Sequence, residues 1–299
     1  MNWSKWITNF SNDEFREDAP NSSFVIRKIP HLLNKLIFAE PKLTHLAFHQ
    51  EHCSSPKFKV LSDSLVIIPT YNELENIERM LNTVFSLPRA FHVLIVDDGS
   101  PDGTGQIVKN LQQVYPGQLH LLERSGKLGL GTAYIAGFKW GLTHGYEYIF
   151  EMDADFSHNP QDLPRLYEAC AQKNADLAVG SRYTRGGKVS NWSWDRIVLS
   201  YGASMYVRLM TGMPVKDPTA GFICYRRKVL EKIDLDNIRF VGYAFQIEMK
   251  YAAHLLGFKI AEVPITFVDR VAGVSKMSAN IIQEAIVGVF QMRWQKRRS

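Results

Sequence analysis

The chain has 299 residues, of which 45% are apolar and 22% charged, as in a globular protein of one or two domains. Its formal net charge of +5 is too small to indicate a nucleic-acid-binding protein. Cys53, Cys170 and Cys224 lack the spacing of a zinc site or a disulfide scaffold, which favours a reducing compartment. Because no apolar run reaches the roughly 18 residues of a membrane span, we predict a cytoplasmic protein, peripheral on a membrane at most.

The segment before the first predicted strand differs in composition from the rest of the chain. Pro20, Pro30, Pro41 and Pro56 interrupt it repeatedly and prevent long helices. We predict an N-terminal extension over residues 1–61 that either packs loosely or stays disordered, or else forms an arm for binding a membrane or a partner.

From Leu65 onward, short apolar runs alternate with amphipathic segments. Strands are predicted over residues 65–68, 93–96, 119–122, 148–152 and 177–179. Helices are predicted over residues 74–85, 104–113, 131–143, 163–173 and 197–210. Strands that are apolar throughout and alternate with helices form a parallel sheet covered on both faces. The sequence therefore predicts an α/β fold of Rossmann type, with a mostly parallel sheet flanked by helices.

Polar motifs follow three of these strands directly. They are Pro69–Glu73, Asp97–Ser100 and Asp153–Asp155. In such folds the ligand binds at the carboxyl ends of the strands, so we expect the three motifs to converge on one edge of the sheet.

The pair Asp153 and Asp155 indicates a divalent-cation site, with a solvated turn as the alternative. Mg²⁺ and Mn²⁺ prefer oxygen ligands and usually keep a substrate phosphate as a further ligand. At the neighbouring strand ends, Glu73 and Asp97 can accept hydrogen bonds from a base or a ribose. The glycine-rich run from Lys127 precedes a helix and could approach a phosphate.

Basic side chains occur in two glycine-containing loops of the second half. Arg182 and Arg185 lie in one loop, and Arg270 and Lys276 in the other. Arginine suits bidentate phosphate binding, and lysine acts as a point charge. These four residues are candidates for phosphate binding, although surface cations also serve solubility alone.

An ordered set of motifs resembles the dolichol-phosphate (polyprenyl-phosphate) mannosyltransferases, or polyprenol monophosphomannose synthases, of glycosyltransferase family 2, which have the GT-A fold. The resemblance covers about residues 64–276. Its motifs are Pro69–Glu73, Val96–Thr104, Asp153–His158, Gly180–Tyr183, Asp217–Phe222, Gly242–Met249 and Val263–Lys276. It implies a GT-A domain over residues 62–277 and inverting transfer of mannose from GDP-mannose to a polyprenyl phosphate.

The resemblance also implies roles for single residues. Asp153 and Asp155 would ligate Mg²⁺ or Mn²⁺, while the family's third metal contact, which can be a Gln, corresponds here to Ser157. The phosphates would be held by Arg182, Arg270 and Lys276, and we add Arg185 to the acceptor-phosphate site. The nucleotide-sugar site would comprise Pro69, Tyr71, Glu73, Asp97, Asp98, Lys127, Ala154, Gln246 and Glu248, the last two near the sugar.

The chemistry of the acceptor decides which catalytic groups are needed. A phosphate monoester is already anionic at neutral pH, so it can attack without a general base. The protein then has to hold two anions together, which requires the metal and cations such as Arg270 and Lys276. We therefore assign no catalytic role to His158.

The lipid acceptor predicts peripheral contact with the cytoplasmic face of a membrane, and a membrane-anchored partner subunit would be compatible with it. Residues 278–299 combine an apolar stripe with a basic tail, which indicates an interfacial C-terminal helix or a helix packed on the domain. Trp192 and Trp194 could also enter the interface. The helix over residues 197–210 could line the acceptor site or belong to the core.

Two other functions fit the sequence. One is transfer from UDP-glucose or another nucleotide sugar to polyprenyl phosphate or to a glycan. The other is a catalytically weak binding protein at the membrane surface. The intact pairs Asp153/Asp155 and Arg270/Lys276 argue against the second alternative.

Overall fold

The computed structural model describes residues 62–242, 244–269 and 288–293. The predicted extension over residues 1–61 lies outside the described residues, as do Arg270, Lys276 and most of the predicted C-terminal helix. The predicted domain bounds at residues 62 and 277 therefore stay predictions.

Strands and helices alternate over the first half of the domain, as predicted. The strands are β1 (Ser64–Thr70), β2 (His92–Asp97), β3 (Leu119–Glu123), β4 (Tyr148–Glu151), β5 (Leu177–Ser181), β6 (Lys188–Ser190), β7 (Ile223–Arg226), β8 (Ile260–Pro264) and β9 (Thr266–Val268). The helices are α1 (Leu74–Phe85), α2 (Thr104–Val114), α3 (Leu130–Thr143), α4 (Leu163–Ala171), α5 (Trp194–Thr211), α6 (Arg227–Lys232) and α7 (Ala244–Leu255). The prediction for α1 matches both of its ends, and most other predicted bounds differ by one to three residues.

The main sheet has the strand order β3-β2-β1-β4-β7-β5-β8, and β6 pairs with β9 in a small second sheet. The first four strands are parallel, which confirms the predicted α/β architecture. Strand β7 runs antiparallel to both of its neighbours, β4 and β5. The sequence analysis did not predict β7, whose insertion makes the sheet mixed rather than wholly parallel.

Helix α3 covers one face of the sheet at short range. A side chain at Gly137 would come 2.6 Å from Ile67, and one at Gly141 would come 2.9 Å from Ile149. These glycines therefore allow the helix backbone to approach β1 and β4 directly. The central strands are buried on both faces, which explains their continuous apolar sequences.

The described part of the C-terminal segment, residues 288–293, is helical and contacts the domain. Val289 and Met292 are buried in an apolar cluster with residues of α5 and α7, such as Val207 and Ile247. Residues 288–293 thus pack on the domain through Val289 and Met292, and the predicted interfacial role of the C-terminal segment stays a prediction.

Candidate active site

The carboxyl ends of β1 and β2 are joined by Asp97. Its Oδ1 accepts hydrogen bonds from the hydroxyls of Thr70, at 2.8 Å, and Ser100, at 2.6 Å. Its Oδ2 accepts a further bond from the backbone N–H of Ser100. Asp97 therefore fixes the loop after β2 against β1, and its predicted contact with a nucleoside stays a prediction.

The motif after β1 leads into α1 through a tight turn. Asn72 has a φ of 59°, and its N–H donates to the hydroxyl of Ser100, so the two strand-end loops are joined again. Glu73 precedes α1, and its Oε2 accepts a hydrogen bond from Asn76. Pro69 is the partly buried residue just before the end of β1.

Tyr71 and Lys127 come together across this edge, although they are far apart in sequence. The Lys127 ammonium lies 4.8 Å from the centroid of the Tyr71 ring. Both were predicted to contact the nucleotide sugar, and these contacts stay predictions.

Asp98 is paired with a residue that the sequence analysis missed. Nε of Arg124 lies 2.7 Å from Oδ1 of Asp98, and both side chains are nearly buried. Arg124 also donates to the hydroxyl of Thr132 at the start of α3. The pair holds the segment that carries Lys127, and the position of Arg124 directly after β3 was the signal available in the sequence.

The Asp153–Asp155 motif follows β4 at the same edge as the other two motifs. Asp155 is buried, and its Oδ1 accepts hydrogen bonds from both the N–H and the hydroxyl of Ser157. Ala154 is buried between the two acids, whereas a third of the Asp153 side chain is exposed. The hydroxyl of Tyr134 lies 3.3 Å from Oδ1 of Asp153.

Asp153 and Asp155 alone are too few ligands for the predicted metal ion, so oxygen atoms from a bound substrate would have to complete its coordination. No group of three His, Cys, Asp or Glu side chains suited to a metal occurs among the residues described in the structure. One or two carboxylates plus substrate phosphates is the usual ligand set of Mg²⁺, so the donor chemistry fits. Ser157, at the position of the family's third metal contact, donates a hydrogen bond to Asp155 and so orients this carboxylate.

The predicted phosphate-binding Arg182 forms a buried ion pair. Its guanidinium binds both carboxylate oxygens of Asp217, at 2.6 and 2.8 Å, and also the hydroxyl of Thr219. Burial raises the pKa of Asp217, but Arg182 outweighs this effect and holds the net pKa below its ordinary value. Arg185 is exposed. A contact of either arginine with a phosphate stays a prediction.

Arg196 lines the same pocket as Arg182, and the sequence analysis did not identify it as a site residue. Arg196 lies on α5, and its Nη1 is 2.7 Å from a carboxylate oxygen of Asp269. Its guanidinium also lies 4.1 Å from the ring centroid of Trp192. The residue is separated from Asp269 by more than 70 positions, so sequence spacing gave no sign of the pair.

A pocket joins the acidic and the basic side of the site. It is called the central pocket below, and its lining includes Asp153, His158, Arg182, Arg196, Gly221 and Gln246. Nδ1 of His158 accepts a hydrogen bond from the backbone N–H of Asp153, so this histidine supports the acidic loop. The sequence analysis assigned His158 no catalytic role, and that assignment stays a prediction.

Gln246 and Glu248 are two residues apart on α7 but have different surroundings. Gln246 is buried at the central pocket and donates a hydrogen bond to Glu151. Oε2 of Glu248 accepts hydrogen bonds from the backbone N–H groups of Arg239 and Phe240. Glu248 therefore holds the segment before α7, and its predicted place near the sugar stays a prediction.

The sequence profile described as "Glycosyl transferase family 2" matches residues 65–234 of this chain. The match covers the three acidic and polar motifs at the sheet edge as well as Arg182 and Asp217. The chain belongs to glycosyltransferase family 2, and it is a glycosyltransferase.

Two relatives within this family are similar to the chain over most of its length. The chain is 51% identical over 226 residues to a polyprenol monophosphomannose synthase of Mycolicibacterium smegmatis, covering 76% of this chain and 85% of that protein. It is 49% identical over 230 residues to an undecaprenyl-phosphate mannosyltransferase of Micrococcus luteus, covering 77% of this chain and 93% of that protein. The family named from the sequence motifs is confirmed.

Solved structures support the fold. A mannosyltransferase from Pyrobaculum calidifontis, solved with GDP-Man and Mn²⁺, matches with a TM-score of 0.54 at 20% identity and covers 81% of this chain and 66% of its own. A glucosyl-3-phosphoglycerate synthase from Mycobacterium tuberculosis, solved with Mn²⁺, UDP and phosphoglyceric acid, gives 0.56 at 16% identity, covering 77% and 78%. The chain therefore has the predicted GT-A fold.

Proposed function

We propose that this glycosyltransferase moves mannose from GDP-mannose to a polyprenyl phosphate, with inversion at the anomeric carbon. The central pocket carries the proposal, because it places Asp153 in one lining with Arg182 and Arg196. A reaction between two phosphate-bearing substrates requires such a combination of acidic metal ligands and cations. The names of the two curated relatives, at about half identity, support mannose and a prenyl phosphate as the substrates.

The donor would bind along the edge formed by β1, β2 and β4. The ring of Tyr71 offers a stacking surface for the base, and Lys127 beside it offers a positive charge for the diphosphate. Asp153 and Asp155 would hold Mg²⁺ or Mn²⁺ against that diphosphate. When bound, the metal supplies charge neutralisation for the departing nucleoside diphosphate.

The acceptor phosphate would enter from the basic side of the central pocket. It is its own nucleophile, so the chain needs to orient it rather than remove a proton from it. Arg196 lies in the pocket lining on this side, and Arg270 and Lys276 follow Asp269 in the sequence. We assign these cations to the acceptor phosphate.

Helix α5 supports peripheral contact with a membrane surface. Trp194, Val198, Tyr201, Met205 and Leu209 recur every three or four residues, so they share one helix face. All five are exposed, Trp194 and Leu209 by about four-fifths. The stripe begins two residues from Arg196, so a prenyl chain leaving the pocket would meet it. No helix among the described residues has the length and apolarity to span a bilayer.

The proposed donor, a nucleotide sugar, has to reach the pocket from the cytoplasm. We therefore place the protein on the cytoplasmic face of the membrane. A membrane-anchored partner subunit would add to the contact made by α5.

A donor panel tests the proposal. Purified protein is incubated with Mn²⁺ or Mg²⁺, a short polyprenyl phosphate and radiolabelled GDP-mannose, UDP-glucose or other nucleotide sugars. Label from GDP-mannose in the lipid phase is the expected result. Label from UDP-glucose alone would replace mannose with glucose, and no transfer from any donor would favour a binding protein.

A further inference from the structure

Two opposite charges are buried behind the central pocket. Glu151 is the last residue of β4, and Lys250 lies on α7. Both are fully buried, and they attract each other electrostatically. A charge taken out of water costs free energy unless it is paired and hydrogen-bonded, so such a pair inside a domain needs a structural or functional reason.

Each charge holds one part of the pocket wall. Glu151 accepts a hydrogen bond from Nε2 of Gln246, and Nζ of Lys250 donates to the carbonyl of Ala220 at 2.7 Å. Gln246 and Lys250 are one helical turn apart, so both project from the same face of α7. Ala220, Gly221 and Gln246 all line the central pocket.

The carboxylate of Glu151 determines which way the Gln246 amide points. A carboxylate only accepts hydrogen bonds, so it selects the NH₂ group of the amide and turns the oxygen away. That oxygen, Oε1, is buried and has no hydrogen-bond partner within the described part of the chain. A buried acceptor without a partner is unfavourable, and a hydroxyl donor from a bound ligand would satisfy it.

Gly221 keeps the space in front of this amide open. A side chain there would lie 3.5 Å from Nε2 of Gln246 and 3.7 Å from the His158 ring. The loop that carries Gly221 is fixed at Ala220 by Lys250 and at Asp217 by Arg182. The buried charges thus hold both the amide and the backbone opposite it.

We propose that Glu151 and Lys250 are positioning residues for sugar transfer, which together orient Gln246 so that its Oε1 accepts a hydrogen bond from a hydroxyl of the transferred sugar. Neither charged residue touches the substrate; both act through the pocket wall. The inference rests on the proposed function only in requiring a nucleotide-sugar donor, whichever sugar it carries.

Substitution of Glu151 provides the main test. Glu151→Leu removes the acceptor for the Gln246 amide, and Glu151→Gln keeps an acceptor oxygen without the charge. We expect Glu151→Leu to lower kcat by about tenfold while the Kd for GDP changes by less than about twofold, and Glu151→Gln to recover most of the rate. Lys250→Met should also lower kcat with little effect on GDP binding.

Matched variants separate positioning from a general loss of stability. Val84→Ala creates a cavity under α1, in the apolar cluster that contains Val66 and Val93, and Lys139→Met removes an exposed lysine. The positioning role is overturned if Val84→Ala, at an equal fall in Tm, loses as much kcat as Glu151→Leu. It is equally overturned if Glu151→Leu turns over like the wild type.

A readout without turnover keeps this test separate from that of the proposed function. The side-chain amide protons of Gln246, assigned by NMR in the full chain, should exchange slowly in the wild type and faster in Glu151→Leu. If the protein transfers sugar from no donor, the proposed function is wrong. The exchange rate of the Gln246 amide protons would still show whether Glu151 orients this side chain. Unchanged exchange in Glu151→Leu would show that Glu151 does not hold the amide.

Discussion

The hydroxyl of Ser157 lies 2.5 Å from Oδ1 of Asp155, and the backbone N–H of Ser157 donates to the same oxygen. The two bonds occupy one carboxylate oxygen of a buried acid and so fix the direction of the whole group. Ser157 can therefore orient Asp155, the proposed metal ligand, without being a ligand itself. This relationship fixes the orientation of Asp155 within the Asp153/Asp155 pair.

We predict that Asp155→Asn abolishes measurable transfer while the protein stays folded, because the amide removes a charge from the proposed metal site. Ser157→Ala should lower activity by only about three- to tenfold, the effect of one lost hydrogen bond. Titration with Mn²⁺ and activity assays check both. Asp236→Asn, at an exposed site, is the control. Near-full activity of Asp155→Asn in chelator-treated buffer would refute the metal assignment.

Asp217→Asn is expected to lower the free energy of unfolding by about 3 kcal/mol near neutral pH, since it leaves Arg182 without its buried partner. The pKa of Asp217 is lowered in the folded protein from an ordinary 3.8, so the stabilising effect is complete above that value and disappears as the pH falls below it.

Urea unfolding at several pH values measures this contribution. The difference between wild type and Asp217→Asn should be constant above about pH 5 and shrink toward pH 3. A difference that does not depend on pH would mean that the charge of Asp217 is not what stabilises the fold.

Arg124→Met should weaken donor binding, with a rise in KM for the nucleotide sugar of about tenfold and a smaller change in kcat. Arg124 ties Asp98 to Thr132, and the segment between them carries Lys127. Calorimetry with GDP checks the effect directly. Arg89→Met removes an arginine paired with Asp63 away from the pocket and should bind GDP normally. Equal affinities in the two variants would contradict the role of Arg124.

The exposed stripe of α5 predicts a membrane phenotype. Leu209→Glu should reduce binding to liposomes containing anionic lipid by about tenfold, because burial of a leucine side chain contributes roughly 1.5–3 kcal/mol. Co-sedimentation with liposomes measures it. Val114→Glu, at an exposed valine on α2, is the matched control. Wild-type binding by Leu209→Glu would move the membrane contact to another surface, such as residues 278–299, whose deletion is the next test.

Local patterns determined much of this fold in advance. The apolar runs that became β1, β2 and β4 are buried on both faces, and that burial is what makes their sequence continuous. Helix α1 was predictable to the residue because its apolar positions repeat at the helical period. Parallel strands place their carboxyl ends together, so the convergence of the motifs after β1 and β2 followed from their positions alone, and the bond from Asn72 to Ser100 confirms it.

Other features depended on partners far away in the chain. Strand β7 reads as a short apolar run, and only its pairing with β4 and β5 makes it an antiparallel insertion. Arg182 was predicted as a phosphate ligand from its loop, but the structure adds its ion pair with Asp217, 35 positions later.

The sequence by itself determined the α/β alternation, the family and the acidic residues at the carboxyl edge of the sheet. Each of these depends on short stretches of neighbouring residues. Only the tertiary structure decided that Glu151 and Lys250 lie buried together and that Arg124 meets Asp98. Burial lowers the pKa of Lys250 and raises that of Glu151, and the attraction between the two groups opposes both shifts. The physical reason is that the free energy of a charge depends on the groups that surround it in space, and chain order does not specify those groups.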